Sequence, residues 1–258
     1  MCLARESVFQ RVAAMAPKVK IPSVIKAGLR FLVSVIGLTL SLQCHSESGL
    51  SEQLELARHS LSLVETEETW DTIANALLRI TALLNGGASE YPTILISFIR
   101  SMYRPITSAA TSERSRLSAA AIECITTLAT ELGPSFDPLV PLIIPTLLSI
   151  CSRPNKVFIS RAKAALHTII DQTQLISLLP YFIDPLRDKS VTLRLIAIES
   201  VLACVRSFNP PDLEKDARAK DVESAIKLTA TDASADVRKV SRSVFDAYKI
   251  LLPARVET

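Results

Sequence analysis

Glycine is scarce in this chain: six in 258 residues, with only Gly86, Gly87 and Gly133 beyond residue 50. That leaves no glycine-rich loop to cradle a phosphate. The three histidines (His45, His59, His167) stand apart, and none of the five cysteines has Cys-x-x-Cys spacing. Zinc ligation and histidine-based catalysis therefore have nothing to build on, and no catalytic residue, metal ligand or cofactor is expected. No Asn-x-Ser/Thr site occurs. Cys124, Cys151 and Cys204 lie among apolar residues as small hydrophobes, which points to a reduced compartment.

Charge of one sign is also missing from the body. Residues 1–50 hold six basic and two acidic residues out of totals of 29 and 26, so everything after them is close to neutral. A protein that coats nucleic acid needs a more basic field. The longest strongly apolar run, twelve residues from Phe31 to Leu42, falls short of the roughly 20 needed to span a bilayer. Its length and upstream basic residues suit a signal-peptide core, but the "SLQCHSES" that follows is a poor cleavage site. Residues 1–49 read as a basic and apolar extension, poorly structured or targeting-like, with no firm membrane association.

What the chain has in quantity is Leu, Ile, Ala and Ser at helical spacing. The stripes predict helices at 51–64, 71–85, 90–104, 117–132, 138–151, 157–171, 175–187, 192–208, 213–231 and 237–252. These pair across short connections. "DKSVTLR" (188–194) and "DASADVR" (232–238) share D-x-S-x-x-[LV]-R, forty-four residues apart. A period near forty with two helices per unit marks an all-α solenoid of about five HEAT-like antiparallel pairs over 50–258. In it Asp188, Arg194, Asp232 and Arg238 link successive repeats, and Ser190 and Ser234 suit helix N-caps.

In such a stack the turns inside each pair line up along one edge. Arg114, Arg116, Arg153, Lys156, Lys189, Arg238, Lys239 and Arg242 recur at those turns. They crowd helix starts, where cations are mildly unfavourable; "CSRPNKVFISRAKAALHTII" (151–170) has four basic residues and no acidic one. A positive strip on a near-neutral body suits an acidic partner surface. Trp70, the only tryptophan, closes the first turn. It suits either an interface anchor or packing at the helix start.

"ETEETWDTIANALLRITALL", "SERSRLSAAAIECITTLATELG", "RPNKVFISRAKAALHTII" and "DKSVTLRLIAIESVLACV" occur in order over roughly 50–255. Together with "DASADVRKVSRSVFDAYKILLP" they resemble a TOG domain of the CLASP family. The resemblance implies a HEAT-like array whose turn edge contacts tubulin or the microtubule lattice, with other microtubule plus-end proteins as further candidates. It also implies a cytoplasmic, cytoskeletal location on microtubules and the spindle, microtubule stabilisation and support of spindle assembly. By position it assigns tubulin binding to Trp70, Arg114, Arg116, Arg153, Lys156, Lys189, and Arg238 or Lys239. The family's domain usually has six pairs, where five are visible here. The alternative is a generic HEAT scaffold for a non-tubulin partner.

Overall fold

Helices form where the apolar stripes predict them. The computed structural model describes residues 31–33 and 40–256, all within a unit that starts at Phe31. Most of the expected extension, including the centre of the apolar run, lies outside the described residues. The main helices are α1 (Glu47–Leu61), α2 (Trp70–Leu84), α3 (Pro92–Thr111), α4 (Ser115–Leu132) and α5 (Val140–Cys151). They continue as α6 (Lys156–Thr173), α7 (Val191–Ser207), α8 (Asp216–Thr229) and α9 (Ala235–Leu251).

Two expected helices changed most, each for a physical reason, while the one expected at 51–64 forms three to four residues earlier, at Glu47–Leu61. The helix expected to stop at residue 104 runs on to Thr111 with Pro105 inside it. A proline there removes one backbone bond, yet Leu95, Phe98, Ile99, Met102, Ile106 and Ala109 form one unbroken buried face. The second turn thus shrinks to 112–114. The helix expected at 175–187 is instead two 3₁₀ segments, Ile176–Phe182 and Asp184–Arg187, containing Pro180 and Pro185. Two prolines five residues apart leave too few consecutive N–H donors for a regular α ladder. Leu178, Leu179, Phe182 and Leu186 are buried nonetheless, so this segment fills the place of a first helix in its pair.

The pairs are α1–α2, α3–α4, α5–α6, the 3₁₀ segment with α7, and α8–α9, and each packs on the next in order. The second members, α2, α4, α6, α7 and α9, stack side by side in one layer, and the first members form the other. Between the layers lies an apolar core that includes fully buried Leu77, Ile80, Leu117, Phe136 and Phe182. Each pair has two apolar faces to cover, and its neighbours cover them.

A short antiparallel hairpin, β1 (Phe31–Val33) with β2 (Leu40–Leu42), adds to the helical expectation. β2 packs against α2, Leu42 is buried, and the Cys44 amide donates to the Gly86 carbonyl at 3.1 Å. Glycine is required at 86, because a Cβ there would lie 1.8 Å from the Leu42 carbonyl oxygen. Gly86→Ala is expected to lower the unfolding free energy by about 2 kcal/mol. Gly49→Ala, whose Cβ would meet only the Ser46 hydroxyl at 3.1 Å, should change it far less. Denaturant melts of the two variants check this.

Candidate functional site: the turn edge

Because every second helix begins at a turn, the parallel stacking of these helices decides where the turns lie. Lys163 on α6 pairs with Glu199 on α7 at 2.6 Å, and Ser207 donates to Asp171 at 2.9 Å. Both links join residues 36 apart in sequence, so α6 and α7 run parallel and in register, with their turns at the same end.

Elsewhere the turns bond to one another directly. Arg114 of the second turn pairs with Glu67 and Glu65 of the first, the latter at 3.4 Å. Arg153 of the third donates to the Thr111 carbonyl at 2.7 Å and to Glu113 at 3.2 Å. Arg194, just past the fourth, makes a two-pronged bond to Asp232 of the fifth at 2.7 and 3.0 Å. The five turns share one rim.

Local chemistry shapes each turn. The shared D-x-S motif works alike in both copies: Asp188 accepts from the Ser190 amide at 2.7 Å, and Asp232 from the Ser234 amide at 2.8 Å. Such Asp side chains hold the chain in a turn. The motif's arginine then folds back onto its own turn's carbonyls, Arg194 onto 188 and 189 and Arg238 onto 232 and 233. Ser190 caps α7 through the Leu193 amide, and Asn155 caps α6 through the Val157 amide. Ser234, expected to be an N-cap, makes no cap bond; its turn relies on Asp232 instead.

The cations on this rim fall into two groups. Most of those that crowd helix starts stitch neighbouring pairs together. Arg153 reaches Thr111 and Glu113, Arg161 binds Ser115 at 3.0 Å, and Lys163 holds Glu199. Arg114 and Arg116 are engaged as well, with Arg116 pairing Asp71 at 2.9 Å. Their guanidinium carbons lie 5.5 and 5.7 Å from the centre of the half-buried Trp70 ring, so both stack on the indole. Glu65 is also held by the Ser112 hydroxyl at 2.7 Å. The Arg114 hydrogen bond keeps the Glu67 carboxyl below its usual range.

The second group, Lys156, Lys189 and Lys239, with Arg242 further along α9, is exposed and forms no ion pair with another described residue. The rim is therefore polarised. Glu65, Glu67 and Asp71 bind the two arginines that lie over Trp70 at one end, with Glu68 exposed in the same turn, and the unengaged lysines lie from the third turn onward. Sequence reasoning missed an apolar component beside them. Val157 and Val191, each in the first turn of a second helix, are about half exposed, and Val64 in the first turn is 80% exposed. Their signal was available, since Val157 and Val191 fall off the buried stripes of α6 and α7.

A family model described as CLASP N terminal matches residues 51–258. The chain belongs to this family. It is 26% identical over 195 residues to Protein stu-1 of Neurospora crassa, which covers 74% of this chain and 17% of that protein. It is 26% identical over 205 residues to CLIP-associating protein 1 of Xenopus tropicalis, covering 80% and 14%. Protein peg1 of Schizosaccharomyces pombe is 28% identical over 210 residues, covering 77% and 14%. The matches thus span only 14–17% of these relatives' length. A solved structure described as the structural basis of microtubule plus-end tracking by XMAP215, CLIP-170 and EB1 is similar in fold. Its TM-score is 0.60 at 18% identity, covering 79% of this chain and 85% of that one.

In this CLASP N-terminal chain, the Arg194–Asp232 link is the most enclosed of the rim's ion pairs, with side chains only 13% and 7% exposed. The Arg194 hydrogen bond is the main force holding Asp232 below its ordinary value. A folded pKa below the unfolded one means the bond stabilises the fold above about pH 4. That stabilisation fades as acid protonates Asp232 through its lowered value. Arg194→Ala, which leaves an enclosed carboxylate unpaired, should cost about 3 kcal/mol near neutral pH. Urea melts at pH 7 and pH 3 should show the difference from wild type shrinking on acidification.

Proposed function

We propose that this chain is a tubulin-binding module that engages the tubulin dimer or microtubule lattice through the turn rim. In this reading it stabilises microtubules and supports spindle assembly in the cytoplasm. The observation that carries it is the placement on one rim of a lone indole and three unengaged lysines: Lys156 opens α6, Lys189 lies in the fourth turn, and Lys239 follows the fifth near the start of α9. An acidic partner surface is steered and oriented by such cations, and the exposed valines beside them add apolar contact. Membership of the CLASP N-terminal family supports tubulin as that partner.

Trp70 is the anchor, and Lys156, Lys189 and Lys239 are the cations open to a partner. Arg153 and Arg238 act mainly by fixing the turns that present them, and Arg114 and Arg116 by holding the indole. We read the chain as a binding module rather than an enzyme. Among the described residues no group of three His, Cys, Asp or Glu is placed to hold a metal ion. Burial pushes the Cys124 and Cys151 thiols up to about 12, which makes them poor nucleophiles at neutral pH.

The double reversal Lys156→Glu with Lys189→Glu should weaken binding to soluble tubulin by about tenfold or more at low salt, with unchanged helical circular dichroism. Wild-type affinity in that variant would reject the rim. Loss of binding on substituting Glu123 and Ala164, on the outward faces of α4 and α6, would favour a scaffold that uses the second-helix layer instead.

A further inference from the structure

The five turns are not linked in the same way. The Arg194–Asp232 link is enclosed, and the Arg153 link ends partly on a backbone carbonyl. Both are fixtures of the stack. At the first turn, by contrast, Arg114 is bound to Glu67, whose side chain is 82% exposed, while the same guanidinium lies over Trp70. Glu65 in the same network is anchored by Ser112, itself buried. Among the described residues Glu67 has no second partner of that kind.

From this arrangement we infer that Glu67 is an internal stand-in for a partner's carboxylate. It occupies Arg114 in the free chain, holds the guanidinium against the indole, and gives way when an acidic surface docks. The partner class follows from the chemistry: it must bring a carboxylate to replace Glu67 and an apolar slot for the ring. Only the identity of that partner rests on the tubulin reading; the latch belongs to the isolated chain. Exchange of one exposed ion pair for another is nearly balanced, because such pairs are weak in water. Glu67 therefore acts against weakly acidic or purely apolar partners, which cannot take its place on Arg114. The depressed Glu67 carboxyl agrees with an engaged, charged state.

Two features of the chain make a clean test. Trp70 is the only tryptophan, so its emission reports this site alone. Glu68 lies in the same turn, is exposed, and forms no ion pair with another described residue, so Glu68→Gln removes the same charge without touching the latch. Glu67→Gln in the full chain should shift Trp70 emission and acrylamide quenching, and Glu68→Gln should leave both near wild type. Poly-L-glutamate should shift Trp70 emission in wild type, and at lower concentration in Glu67→Gln.

Against soluble tubulin, read by sedimentation of labelled chain, Glu67→Gln should bind about two- to fivefold tighter. Glu68→Gln should gain less, and the excess should vanish in an Arg114→Ala background. An equal gain from the two Gln variants, weaker binding by Glu67→Gln, or a gain that persists without Arg114 would overturn the latch. So would Trp70 emission indifferent to both Glu67→Gln and poly-L-glutamate. Failure of wild type to bind tubulin, with the emission results as expected, would reject the tubulin reading and leave the latch standing.

Discussion

Parallel, in-register stacking of the second helices is the constraint on which the rest of this structure depends. Each of those helices starts at a turn, so once α2, α4, α6, α7 and α9 lie side by side, five turns must fall along one edge. The driving force is burial: a helical pair alone leaves an apolar face in water, and the next pair covers it. Burial is not directional, however, and would tolerate some sliding of one pair past another. The polar links remove that freedom. Lys163–Glu199 and Asp171–Ser207 fix the register of α6 against α7, and Arg114, Arg153 and Arg194 fix turn against turn.

This division of labour accounts for cations at helix starts, where the local field disfavours them. Arg153, Arg161 and Lys163 are held by acceptors on the neighbouring pair, and those bonds outweigh the unfavourable position. Among the described residues Lys156 finds no such acceptor. It sits at the first position of α6, exposed, with Val157 about half exposed beside it. Side chains that stitch and side chains that face outward thus alternate within one short stretch. Only the outward ones are open to a partner without breaking the stack, and the Arg114–Glu67–Trp70 group stands between the two kinds.

Much of the fold was legible in the sequence because helical stripes depend on local spacing. The helices at 117–132, 157–171 and 192–208 lie within about two residues of the observed ends, and the D-x-S-x-x-[LV]-R repeat marks two equivalent turns. The two largest misreadings of the helices came from proline. Pro105 looked like a stop but is carried inside a helix by a continuous buried face, whereas Pro180 and Pro185 together convert a whole helix to 3₁₀. The same residue type gives opposite results because one proline costs a single backbone bond that a continuous buried face outweighs, whereas Pro180 and Pro185 together leave too few donors for an α ladder, although that segment is buried as well. At the rim the sequence revealed the cations but not their engagement. Arg114 finds its carboxylates 47 and 49 residues away, a separation that means nothing until the stacking is known. A strip read as positive is for that reason acidic around Trp70 and basic beyond it.

The most direct measurement is amide hydrogen exchange on the chain with and without soluble tubulin. A docking rim predicts added protection at the turns and the helix starts that follow them, residues 62–70, 112–116, 152–157, 188–191 and 232–239. The outer faces of α3 and α5 should exchange as in the free chain. Protection centred on α3 and α5, with the turns unchanged, would contradict the account.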